Sequence, residues 1–295
     1  SGRAGGAARH LATGADACDQ HTTKPCPKRN TNSHTKGIDM KNVDMKGKVV
    51  LVTGATRGLG RSMVQAFAEA GADIAIVSRK QAACDETAAE IAALGVKTFA
   101  YACHMGRWDD IEPMVDAVYQ ALGKVDVLVN NAGMSPLYPS LSDVSEDMFD
   151  KVIGVNFKGP FRLTALVGER MQQAGSGSVI NISSTASYDM PPTALPYACA
   201  KVGLNGLTQG FADAYGPQVR VNCIVVGAFA TDVAEHWPDP PNPDNPGFTH
   251  SGMRVGLPEE IVGAAMYFAT DASSYTSGAL LRVDGAPKSA KRSSQ

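Results

Sequence analysis

The chain has 295 residues, 44% of them hydrophobic and 19% charged, with a formal net charge of -2. That balance suits a soluble globular protein and offers no basic surface to a polyanion, so nucleic acid is not an expected partner. No apolar run approaches the roughly 18 residues of a membrane span, so no membrane partner is expected either.

Residues Ser1 to about Asn42 hold almost no large apolar side chains beyond Leu11, Ile38 and Met40. Such a segment cannot bury enough surface to offset its chain entropy. Residues 1–45 therefore read as a disordered or non-native extension; the chain starts at Ser1, while Met40 and Met45 are natural starting positions. No amphipathic stripe marks the segment for an organelle. The folded domain is expected over 46–287, with a polar tail at 288–295.

From Lys48 the pattern alternates. KVVLVT (Lys48 to Thr53) is a nearly all-apolar run, as for a strand covered on both faces. A helical stretch follows from Leu59 to Ala70, closed by Gly71, then a strand at Ile74 to Val77. Further helices are predicted over Gln81–Leu94, Asp109–Leu122, Ser145–Gln172, Leu195–Tyr215 and Glu259–Thr270. Between and after them lie strands at Lys97–Tyr101, Val125–Val129, Ser178–Ile182, Val219–Ile224 and Ala279–Val283. Strict alternation demands crossover connections. The expected fold is α/β, a doubly wound, Rossmann-like parallel sheet in one domain. The stretch Phe229 to Leu257, with Pro238, Pro240, Pro241, Pro243 and Pro246, is longer than a usual connection and reads as a lid or binding loop.

Six cysteines without CxxC spacing, in a chain this long, point to reduced thiols and a cytoplasmic enzyme. Six histidines show no HExxH or similar spacing, so no metal is expected.

Thr53-Gly54-Ala55-Thr56-Arg57-Gly58-Leu59-Gly60 separates the first strand from the first helix. Glycines there let the backbone turn tightly and approach a pyrophosphate, and the helix N-terminus adds N–H groups and a positive dipole end. The second strand ends in Ser78 and Arg79, where an NAD-selective fold places Asp or Glu. With Arg57 in the glycine turn, these residues suit the 2′-phosphate of NADP(H) over NAD(H); the competing reading is two solvated surface arginines.

Tyr197 and Lys201 stand four residues apart, on one helical face, and Ser184 lies thirteen residues earlier. Together with the glycine turn they resemble the single-domain branch of the short-chain dehydrogenase/reductase family, nearest to reductases of 3-oxoacyl groups and ketones. TGATRGLG corresponds to its TGxxxGxG motif and Asn130-Asn131-Ala132-Gly133 to its NNAG motif. Asn156 in GVNF, Ser184 and Tyr197-Ala-Cys-Ala-Lys201 correspond to its Asn, Ser and YxxxK positions. The resemblance spans about Lys46 to Gly285. It implies catalysis by Asn156, Ser184, Tyr197 and Lys201. It also implies cofactor contacts at Gly54, Thr56, Arg57, Gly58, Leu59, Gly60, Ser78 and Arg79, and at Asn131, Ala132, Gly133, Gly227 and Thr231. Lys201 would hold the nicotinamide ribose, Asn156 would support a water chain, and a homotetramer would form through the long helices.

The side chains themselves suggest the chemistry. A free tyrosine, with a pKa of about 10, is a poor base near neutrality. The Lys201 ammonium is expected to favour the phenolate and move Tyr197 toward working pH. Ser184, or its neighbour Ser183, would hydrogen-bond a substrate carbonyl oxygen. Two positions depart from the family: CHMG puts His104 and Met105 where an adenine-contacting Asp is usual, and Val226-Gly227 replaces Pro-Gly. Cys199 reads as a packed small residue. The expected activity is hydride transfer between NADP(H) and a small, neutral or apolar carbonyl or secondary alcohol. Two alternatives remain: a catalytically silent NADP(H) sensor or scaffold, and an epimerase or dehydratase with tightly held cofactor.

Overall fold

In the computed structural model, which describes residues 43–231 and 255–285, each apolar run becomes a strand of one sheet. The extension to residue 42, residues 232–254 of the proline-rich stretch and the tail from 286 lie outside the described residues. The strands are β1 (Val49–Thr53), β2 (Asp73–Ser78), β3 (Thr98–Ala102), β4 (Val127–Asn130), β5 (Gly177–Ser184), β6 (Val219–Val226) and β7 (Leu280–Val283). Their order is β3-β2-β1-β4-β5-β6-β7, and every pairing is parallel. The chain winds outward from β1 to β3, then returns to place β4 against β1. That reversal opens a crevice at the carboxyl ends of β1 and β4.

Among the described residues eight α-helices supply the crossovers and flanks. They are α1 (Gly58–Glu69), α2 (Gln81–Ala92), α3 (Trp108–Leu122), α4 (Glu146–Ile153), α5 (Gly159–Ala174), α6 (Ala186–Asp189), α7 (Leu195–Tyr215) and α8 (Val262–Ala269). Alternate residues of β1 point to opposite faces. Val50 and Val52 join Met63 and Phe67 of α1 and Phe268 of α8, whereas Leu51 joins Ile111 and Met114 of α3 and Leu163 of α5. Each such fully buried side chain contributes about 1.5–3 kcal/mol, which makes the two-faced apolar strand the main organiser of the fold.

The long helix expected over Ser145–Gln172 is interrupted. Ser145 caps α4 by accepting from the Met148 N–H at 3.2 Å, but Gly154–Lys158 form a π-helical turn before α5. Glycines flank the turn because the β3–α3 connection presses against it. A Cβ on Gly159 would overlap the Met105 carbonyl, and one on Gly154 would lie 3.4 Å from Gly106 Cα. Such one-turn widenings recur at functional sites, and this one carries Asn156.

Packing also extends N-terminal of the expected Lys46 boundary. Met45 is only 1% exposed, and its N–H donates to the Ala70 carbonyl at 2.8 Å. Phe229 and Gly256 form a parallel bridge, so the two ends of the proline-rich stretch lie side by side. Among the described residues no helix is long and apolar enough to cross a membrane, and Cys84, Cys103, Cys199 and Cys223 are free thiols.

Candidate active site

The crevice has two ends. At the first, Gly54 and Gly58 adopt φ of +64° and +53°, a left-handed conformation that favours glycine. A Cβ on Gly60 would overlap the Gly54 carbonyl and come within 2.5 Å of Asn131 Nδ2, so α1 begins hard against the turn. The NNAG segment ties this turn to β4. Thr53 Oγ1 accepts from the Asn131 and Ala132 N–H groups at 3.0 and 3.1 Å, and Asn131 Nδ2 donates to the Thr53 and Gly54 carbonyls at 2.9 and 3.1 Å. Asn130, 3% exposed, instead donates into the core, to Thr164 Oγ1 and Asn181 Oδ1.

The start of α1 has no side-chain cap and no acidic residue in its first turn. That leaves a helix N-terminus chemically suited to a pyrophosphate. Thr56 Oγ1 donates to Ser78 Oγ at 3.2 Å, joining the turn to the end of β2, where Arg79 is exposed, as is Arg57 in the turn. Leu59 packs partly against the core, and Thr231 Cγ2 lies 3.3 Å from where a Gly58 Cβ would stand. His104 Nδ1 accepts from the Gly106 N–H at 3.1 Å, a turn-closing bond that an Asp carboxylate would also make. Met105 is 5% exposed and its side chain belongs to the core. The Gly227 N–H donates to the Val283 carbonyl at 3.0 Å.

The second end gathers Gly133, Asn156, Ser184, Tyr197 and Lys201. Tyr197 hydrogen-bonds Ser184. Lys201 Nζ lies 5.5 Å from the Tyr197 ring centroid and donates to the Ile182 carbonyl at 2.8 Å. A Cβ on Gly133 would meet Asn156 Oδ1 at 3.0 Å and Lys201 Nζ at 3.8 Å, so only glycine leaves room there. Asn156 is fully buried; its Nδ2 donates to the Met134 and Val152 carbonyls at 2.8 and 2.9 Å. The two candidate serines part company by strand alternation. Ser183 is buried and donates to the Lys201 carbonyl at 3.4 Å, whereas Ser184 faces Tyr197.

The electrostatics differ from the expectation in one respect. Burial raises the Tyr197 phenol above its ordinary value, with the Ser184 hydrogen bond opposing only part of that, and Lys201 does not draw it down. The same burial pushes the Lys201 ammonium down to about 8.

One residue of the second end escapes sequence reasoning. The Tyr138 hydroxyl donates to the Pro192 carbonyl at 2.5 Å and accepts the Leu195 N–H at 2.8 Å. Leu195 opens α7, whose own N-cap residue, Ala194, supplies no side-chain bond. Tyr138 thus caps from 57 residues away the helix that carries Tyr197 and Lys201, and no local motif announces it.

Comparisons with known proteins agree with this geometry. The family described as short chain dehydrogenase matches residues 48–242. The chain is similar to dehydrogenase/reductase SDR family member 4 of Bos taurus, 35% identical over 243 residues that cover 82% of this chain and 87% of that protein. In structure it resembles the NADPH-dependent 3-quinuclidinone reductase of Rhodotorula rubra, with a TM-score of 0.75, 27% identity, and coverage of 88% and 98% of the two chains. It equally resembles 3-ketoacyl-(acyl-carrier-protein) reductase of Brucella melitensis complexed with NADH, with a TM-score of 0.75, 28% identity, and coverage of 82% and 98%. A chain matched over that span and folded around that crevice belongs to the short-chain dehydrogenase/reductase family.

Proposed function

We propose that the protein is an NADPH-dependent oxidoreductase acting on the carbonyl group of a neutral or apolar substrate, or on the corresponding secondary alcohol. The observation that carries this reading is the convergence of Ser184, Tyr197 and Lys201 beside the side-chain-free space at Gly133. The dinucleotide would rest on Gly54, Gly58 and the N-terminus of α1, with its adenosine end toward Ser78, Arg79 and His104. When bound, it supplies or accepts the hydride.

In reduction, Tyr197 gives its phenolic proton to the substrate oxygen, and Ser184 donates a hydrogen bond to the same atom as charge develops on it. The raised Tyr197 pKa keeps that proton in place through the neutral range. Lys201, pushed down to about 8, still carries its proton at neutral pH and can turn it toward a ribose hydroxyl. Asn156, fixed by two carbonyls, holds the Met134 backbone that borders the space. Alcohol oxidation needs the phenolate instead, so it is expected to rise steadily through the alkaline range while reduction stays flat.

Arg57 and Arg79 support the choice of NADPH, because no carboxylate stands at the end of β2 to receive a ribose 2′-hydroxyl. The mouth is apolar. Leu137, Tyr188 and Met190, in the segments that follow β4 and β5, are exposed, and Pro136, Tyr138, Met148 and Val152 line a small hollow against Tyr197. These residues favour an uncharged substrate. We also read the protein as a cytoplasmic homotetramer, with the exposed Phe161 of α5 and Val202 of α7 at an interface.

The test is NADPH and NADH oxidation against a panel of ketones and 3-oxoacyl thioesters. The expected result is turnover at least tenfold better with NADPH in kcat/KM, and a loss of about 1000-fold in Tyr197→Phe with unchanged NADPH affinity. Tight NADPH binding without turnover on any carbonyl would overturn the reading in favour of a silent sensor.

A further inference from the structure

Tyr197 and Lys201 occupy successive turns of one face of α7, and the next residue on that face is Asn205. Its side chain lies in the middle of a run of hydrogen bonds that joins four elements, β6, α7, α6 and β5. The Cys223 thiol on β6 donates to Asn205 Oδ1 at 3.7 Å. Asn205 Nδ2 donates to Ser187 Oγ at 3.0 Å. The Ser187 hydroxyl then donates to the Ser184 carbonyl at 2.6 Å, and the Ser184 hydroxyl accepts the Ala186 N–H at 3.2 Å.

The direction of these bonds is set by the amide. The carboxamide NH2 can only donate, so Ser187 Oγ must accept from it and send its own proton to Ser184. The turn being held has little support of its own, since α6 is four residues long and Thr185 gives it no side-chain cap. Ser184, by contrast, has its acceptor side occupied by Ala186, which leaves its proton for Tyr197 or for a substrate oxygen. A small rotation of the turn would therefore swing that proton off its target, and displacements of about 1 Å at such groups cost about 100-fold in rate.

We propose that Asn205 is a positioning residue: acting through Ser187, it locks the β5–α6 turn so that the Ser184 hydroxyl is held against Tyr197. This deepens the reading above and rests on Ser184 and Tyr197 acting on the reacting oxygen. The Cys223 thiol closes the far side of the amide, as a weak donor to an oxygen that would otherwise lack one.

Asn205→Asp is the sharpest variant because it keeps shape and volume while exchanging the donor for an acceptor. The carboxylate draws the Ser187 proton to itself and away from the Ser184 carbonyl. The expected result is a fall in kcat of about tenfold to fiftyfold with KM for NADPH unchanged and thermal stability near wild type. Ser187→Ala should lose a similar factor, and the double variant should lose no more than the larger single loss, as members of one chain do. A second readout needs no turnover. Ultraviolet difference titration, with Tyr197→Phe as the blank, should show the Tyr197 phenol ionising at higher pH in Asn205→Asp and Ser187→Ala, because the Ser184 bond that opposes burial is weakened. Wild-type kcat and an unmoved Tyr197 titration in both variants would overturn the proposal, as would losses that simply multiply in the double variant. If wild type reduces no carbonyl, the assigned reaction fails on its own account and the titration alone decides the role of Asn205.

Discussion

The two ends of the crevice are built by opposite means. At the dinucleotide end the critical feature is the lack of side chains. Gly54, Gly58 and Gly60 bring backbone against backbone, and Thr53 ties the turn to Asn131 and Ala132, far on in the sequence. At the catalytic end ionisable and amide side chains are buried and then held by hydrogen bonds. Asn156 is fully buried, Lys201 is 3% exposed, and both rest on main-chain carbonyls. The first end is intolerant of added atoms; the second is intolerant of lost hydrogen bonds and carries an electrostatic cost.

The largest effect should come from adding one methyl group at the first end. In Gly60→Ala the new Cβ meets the Gly54 carbonyl and lies 2.5 Å from Asn131 Nδ2, so backbone rather than a flexible side chain must yield. A loss of about 3 kcal/mol or more in denaturant unfolding is expected, together with weakened NADPH binding. Gly210→Ala is the control. Its Cβ meets nothing within 4 Å in the middle of α7, and a gain of about 0.5–1 kcal/mol is expected from the reduced freedom of the unfolded chain. Equal behaviour of the two variants would erase the contrast between the ends.

Removing a single oxygen at the second end should have a smaller effect. Tyr138→Phe keeps the ring but deletes both the bond to Pro192 and the cap on Leu195. We expect kcat/KM for ketones to fall about threefold to tenfold with NADPH affinity unchanged, and stability to fall by about 1 kcal/mol. A Tyr138→Phe enzyme with wild-type kinetics would mean that the start of α7 needs no outside support.

The same contrast explains what was legible in the sequence. Short apolar runs disclosed every strand of the sheet, most plainly the central ones, because strands buried on both faces can be written in few other ways. Glycine spacing disclosed the nucleotide turn for an equally local reason. The π-helical turn at Gly154–Lys158 was not legible, since the apolar period of Ser145–Gln172 runs on through it and its cause is the Met105 carbonyl, 54 residues away from Gly159. β5 and β6 also run on past their expected ends at Ile182 and Ile224, because pairing continues through Ser183 with Val225 and Ser184 with Val226. The capping role of Tyr138 was hidden likewise, because nothing local links a loop aromatic to a helix start 57 residues on. The burial of Tyr197 and Lys201 was not legible either, because the i, i+4 spacing shows proximity but says nothing of burial, which raises the phenol and pushes the ammonium down.

The pH dependence of stability measures the electrostatic cost of the second end directly. Lys201 titrates near 8 in the folded chain against 10.5 for an ordinary lysine. Below about 8 both folded and unfolded chains hold the proton, and the folded chain bears the full penalty of a buried ammonium. Between about 8 and 10.5 the unfolded chain keeps a proton that the folded chain has released, so stability rises with pH there, by up to about 1.4 kcal/mol per pH unit. It is fully present above 10.5 and is lost as pH falls toward about 8. Lys201→Met lacks that slope, though it also forfeits the bond to the Ile182 carbonyl at every pH. Denaturant midpoints of wild type and Lys201→Met at about pH 7 and about pH 10 should therefore move apart, with wild type gaining about 1–3 kcal/mol relative to the variant at the higher pH. Titrating groups away from Lys201 are common to both proteins and cancel in the difference, and the Cys223 thiol beside it, pushed up to about 12, stays protonated at both pH values. A gap that stays constant with pH would show that the Lys201 ammonium is not desolvated, and the two ends of the crevice would then differ in geometry alone.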